Sequence, residues 1–202
     1  MRCSQALALL TLTFAGAGVA SAWAATPAPL LPLSDAFVRF CGDTSGDADR
    51  ALQQADAAGW AVPPAMTLTP VPFGSGKWIE LRGRWNRSPE GVLMVVEVGT
   101  IRDPDGGVAL VCTVAETPPP GAKPDFDAIE GALQHWVGAA PMKASKGFAI
   151  FGYRVAGAQR VALTASQDPF AGAAARPQPD TALVSLVDVF GITPTITYMR
   201  WR

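Results

Sequence analysis

From Gly91 to Glu116 the chain runs apolar, turns, and runs apolar again. Val92 to Val98 is broken only by Glu97, and Val108 to Val114 forms a second such run. Between them lies Asp103-Pro104-Asp105-Gly106-Gly107. Proline fixes φ there, aspartate bonds its own backbone, and glycine supplies positive φ. The pattern predicts a β-hairpin whose strands are apolar on both faces, hence central and covered on both sides. Lys77–Trp85 alternates instead. Ile79, Leu81 and Trp85 fall on one side, and Trp78, Glu80, Arg82 and Arg84 on the other. One face is core and the other is wet, which places this strand nearer an edge.

Helical spacing appears in three places. Ser34-Asp35 opens a short helix with Phe37, Phe40 and Cys41 on one side, ending at Gly42. A second helix runs from Gly46 to Ala58, started by Ser45 or Asp47. Ala48, Leu52 and Ala55 form its apolar stripe, Gly59 follows its end, and Trp60 folds back on it. A third, capped by Asp125, runs from Phe126 to Val137 and buries Phe126, Ile129, Leu133, Trp136 and Val137.

Further strands are expected at Gly147–Val155, Arg160–Ala165, Ala182–Phe190 and Thr195–Trp201, with Lys143 and Lys146 in a solvated loop. Strands in runs joined by short turns imply an α+β fold. It is a mainly antiparallel sheet of about six to seven strands, with about three helices packed on one side.

Composition changes the picture at the N-terminus. Met1-Arg2 is followed by an apolar stretch, Ala6 to Val19, of signal-peptide length, and then by small residues suited to cleavage. Prolines at 27, 29 and 32 follow too soon for a good membrane span. The expectation is a leader over 1–24, removed on export to the periplasm or medium. Residues 25–202 then form one domain with a Pro-rich N-terminal arm. The full chain carries 16 Lys+Arg against 17 Asp+Glu, a net charge of −1. That charge attracts neither nucleic acid nor an anionic membrane. Beyond the leader, Cys41 and Cys112 are an even pair in an exported chain, and they are expected to form a disulfide.

Catalytic sets are hard to assemble. His135 is the single histidine, too little for a histidine-rich metal site. Asp43, Ser45 and Asp47 have the start of a calcium-loop spacing, but Ala48 and Gln54 stand where glycine and glutamate belong. Gly74-Ser75-Gly76-Lys77 lacks the first glycine and the hydroxyl of a phosphate loop. Serine-nucleophile motifs are absent. No metal or cofactor is expected. Two constellations stand out. Trp78, Arg82, Arg84, Trp85 and Arg87 cluster on or just after one strand, and Arg/Trp faces bind sugars, carboxylates and partner strands. Tyr198, Arg200, Trp201 and Arg202 give a weaker version of the same signal.

Phe40-Cys41-Gly42-Asp43-Thr44, the helix end Ala58-Gly59-Trp60, and Cys112 in a Val-rich strand together resemble a group of small exported bacterial proteins of unknown function. The resemblance implies no activity. The residues point to a non-catalytic periplasmic binding or accessory domain that presents the Arg/Trp face to a protein or envelope component. The alternative is an envelope hydrolase in which Glu80, Glu97, Asp125 and His135 converge in the fold.

Overall fold

The first helix, α1 (Leu33–Phe37), does not use Ser34 as its cap: Pro32 holds that position, and no side chain caps the end. The helix then widens into a π-helical turn, Val38–Gly42, where the Asp43 N–H donates to the Val38 carbonyl at 2.8 Å. Thr44 is buried beneath it. Its Oγ1 donates to the Phe40 carbonyl (2.6 Å) and lies 3.2 Å from the Cys41 carbonyl. This satisfies groups that the widened turn leaves without helical partners.

A computed structural model describes residues 32–63, 76–104, 106–156, 159–164, 167, 178, 180–189 and 193–202. The expected leader, the proline arm up to residue 31, and most of the loops at 64–75 and 165–179 lie outside them.

Helix α2 (Ala48–Ala57) is capped by Asp47, whose carboxylate accepts from the Arg50 N–H at 3.0 Å. Gly59 adopts φ 79°, Trp60 N–H donates to the Ala55 carbonyl, and Gly59 N–H to that of Asp56. This is the Schellman ending that the Gly-Trp pair predicts. Trp60 folds back and meets the Phe40 ring edge-on at 4.8 Å. Helix α3 (Phe126–Val137) has Asp125 as cap, accepting from the Ala128 N–H at 3.0 Å, and Gly138 in the left-handed region after its end.

Among the described residues eight strands form one antiparallel sheet: β1 (Lys77–Arg87), β2 (Leu93–Arg102), β3 (Val108–Thr117), β4 (Lys143–Ser145), β5 (Phe148–Ala156), β6 (Gln159–Ala162), β7 (Thr181–Val189) and β8 (Thr193–Trp201). Their order is β1-β2-β3-β8-β7-β5-β4, with β6 also on β5. The expected hairpin is β2–β3, closed by the Asp103–Gly107 turn. The expected loop at Lys143 is instead a short strand, β4, with all three residues exposed. As an exposed edge strand it has no apolar pattern by which to be recognised.

The helices cover one face of the sheet. Phe37, Phe40, Leu52, Ala55, Leu133 and Val137 pack there against Val96, Val114, Phe151, Val184 and Ile196. Cys41, in the π turn, is joined to Cys112 of β3 by the expected disulfide, with Cα atoms 5.4 Å apart. The opposite face carries a second cluster that includes Ile101, Val111, Ile150, Leu183, Met199 and Trp201. The central strands are therefore apolar on both sides because both sides are buried. Among the described residues no helix is long and apolar enough to cross a membrane.

Candidate functional site

The expected Arg/Trp face is not one face. A β-bulge between Trp78 and Glu80 shifts the register of β1 against β2. Trp78 pairs with Ile101, and Leu81 with Gly99, so both look away from the helices. Arg82 and Arg84 pair with Val98 and Val96 and look toward them. One extra residue inverts the alternation on its far side. Trp78 packs against the Ile101 cluster. Trp85 shares that side of the sheet, and Arg87 lies exposed at the strand end.

The two arginines are taken up by α2. Arg82 pairs with Asp49 (2.8 Å) and with Glu80 (2.9 Å). Arg84 grips Asp56 with two nitrogens, Nη2 to Oδ2 at 3.1 Å. That contact holds the Asp56 carboxyl below its usual range.

The acids of the hydrolase alternative are also separated. Glu80 and Glu97 project from opposite faces of the sheet. Asp125 is engaged at the α3 N-terminus, and His135 is exposed on α3 beside a shallow hollow formed with Gly131, Gln134 and Gly138.

The structure assembles a different site around the turn after the π helix. Ser45 and Gly46 both have positive φ, 54° and 71°. Ser45 is the only non-glycine in that region among the described residues, and such strain concentrates at functional sites. Gly46 has no side chain because Tyr198 lies directly beneath it: a Cβ there would stand 2.7 Å from the ring. The Tyr198 hydroxyl is buried near Tyr153 and Arg200, and burial raises its pKa.

Two clefts flank this turn, and Ser45 lines both. The first, about 460 Å³, opens where β3 begins and β8 ends. Arg50 reaches it from α2, Arg200 from β8 and Arg202 from the residue after β8. Arg200 pairs with Asp180 at 3.4 Å. Arg50 donates at 3.5 Å to the Asp43 carbonyl, and neither it nor Arg202 is ion-paired among the described residues. The second cleft, about 440 Å³, lies between Asp43, Trp136, Tyr153, Gln159 and Arg160. Arg160 sits 4.0 Å over the Trp136 ring and 3.8 Å from the Asp43 carboxylate. Trp136 in turn meets Phe37 and Tyr153 edge-on, so the platform under Arg160 is fixed by the core. Burial raises the Tyr153 phenol well above its usual pKa and keeps it neutral.

Of these residues, sequence reasoning singled out Tyr198, Arg200, Trp201 and Arg202 as a weak signal. It placed Arg50 only within the span of the second helix and Arg160 only as a strand start. Asp43, Ser45 and Asp47 drew notice for a metal spacing, yet among the described residues no group of acids, cysteines and histidines is arranged to hold a metal. The chain matches no family model, no curated protein and no solved structure.

Proposed function

We propose that this chain is an exported, periplasmic or secreted binding module that takes an anionic group in the cleft of Arg50, Arg200 and Arg202. One observation carries the reading. Three arginines, one from α2 and two from the end of β8, line one opening, and among the described residues only Arg200 is paired with a carboxylate. Of the two acids lining the cleft, Asp180 faces Arg200 and Asp47 caps α2. Arginine presents a planar fork of donors that suits carboxylate and phosphate oxygens. Grouping like charges at a surface has a cost in self-repulsion, and a bound anion removes it.

Isothermal titration with inorganic phosphate at low salt tests this. The native protein should show saturable binding that weakens as salt is added. Arg50→Ala with Arg202→Ala should weaken it at least about tenfold, a loss of about 1.4 kcal/mol, with the melting temperature nearly unchanged because both residues are exposed. Absence of saturable binding, or equal binding by the double variant, would remove the proposal.

A further inference from the structure

Building on the anion cleft proposed above, we infer that the ligand is an acidic sugar unit. Its acid group lies among Arg50, Arg200 and Arg202, and its neutral hydroxylated ring lies across the turn, in the cleft of Asp43, Gln159 and Arg160.

The two clefts adjoin. Ser45 belongs to both. Asp43 touches an arginine of each, its carbonyl facing Arg50 at 3.5 Å and its carboxylate facing Arg160 at 3.8 Å. A ligand of modest size therefore spans them by passing the turn.

Their charges differ. The first cleft holds three arginines against two acids that already have partners. The second holds one acid against one arginine and is formally neutral. A second anionic group there would sit beside the Asp43 carboxylate, and like charges at contact repel. A bare apolar group fits no better, because the Trp136 face that would receive it is covered by Arg160.

What remains suits hydroxyls. Asp43 accepts only, Arg160 donates only, and Gln159 and Ser45 do both. Vicinal hydroxyls, each donor and acceptor at once, match that fan of groups. Arg160 is pre-set for the task by its stack on Trp136, which reduces the side-chain freedom lost on binding.

The full-length protein is titrated with inorganic phosphate, glucose, glucose 6-phosphate and the dipeptide Glu-Glu. Joining the two parts makes the second contact intramolecular, so glucose 6-phosphate should bind at least about tenfold tighter than phosphate. Gln159→Ala, at an exposed position, should remove most of that gain and leave phosphate binding unchanged. If phosphate binds and glucose 6-phosphate binds no tighter, the sugar reading is overturned while the anion cleft stands. Equal gain from Glu-Glu overturns it in favour of an acidic peptide. If phosphate itself does not bind, the anion cleft fails, and the sugar reading fails with it.

Discussion

Glu97 interrupts the apolar run of β2, and the reason is not visible in the run itself. It stands on the face away from the helices, only 6 % exposed. Thr113 pairs with it across the sheet, Thr197 pairs with Thr113, and Ser185 pairs with Thr197. The Thr113 and Thr197 hydroxyls are 3.1 Å apart, and all four residues are buried. Burial raises the Glu97 pKa from 4.5 to about 7, because desolvation disfavours its charged form. Between those values the folded protein holds a proton that the unfolded chain releases. Stability contributed by the protonated acid is therefore complete below pH 4.5 and is lost as the pH rises through 7. Glu97→Gln keeps the shape and removes the titration. Urea melts at pH 5 and pH 8 should show the native protein losing about 2 to 3 kcal/mol more than the variant across that interval. An equal loss in both would mean that Glu97 is solvated in solution.

Elements with a strong local pattern were legible, and those shaped by a neighbour were not. The β2–β3 hairpin, the Asp125 cap and the Gly59-Trp60 helix ending follow from residues a few positions apart. The bulge in β1 does not. It arises where Gly99 of β2 meets the Glu80 backbone so closely that a Cβ would lie within 3.1 Å of the Leu81 Cα. Strict alternation read across Ile79 therefore misassigned Trp78, and with it the expected face. What β1 does offer is a dock for α2. Arg84 holds Asp56 in a two-nitrogen grip with the arginine side chain only 17 % exposed. The acid is half exposed, so solvent screening limits the pair to at most about 1 kcal/mol. A double-mutant cycle with Arg84→Ala and Asp56→Ala should return a coupling of about 0.5 to 1 kcal/mol that shrinks in salt. Zero coupling would assign the docking of α2 to its buried Ala51, Leu52 and Ala55 and to the Arg82–Asp49 pair. The candidate site was less legible for a related reason. Asp43-Thr44-Ser45-Gly46 reads most simply as a helix cap and turn, and Arg50 and Arg200 reach one cleft, with Arg160 in the next, only once β8 has paired with β3.

Closure of the sheet is a property of the whole chain. The meander β1-β2-β3 and the later strands β5, β7 and β8 meet at a single seam, β3 against β8, where Thr113 and Thr197 are 84 residues apart. No local pattern encodes that pairing, although the apolar faces of β3 predict neighbours on both sides. The disulfide acts beside the seam. Cys112 lies opposite Tyr198 in the β3–β8 register, and Cys41 belongs to the π turn that leads into the two clefts. The link thus holds the helix layer, the seam and the site to one another. Its two ends are 71 residues apart in sequence, and closing a loop of that size restricts the unfolded chain by an entropic equivalent of about 4 kcal/mol at most. Cys41→Ser with Cys112→Ser should lower urea stability toward that figure. It should also weaken phosphate binding, since the 43–46 turn loses the anchor just before it. In protein recovered from the periplasm, mass after alkylation should show no free thiol at either position until a reductant is added. Free thiols at both would contradict the export reading and leave the strained turn at Ser45 supported by packing on Tyr198 and by Thr44 alone.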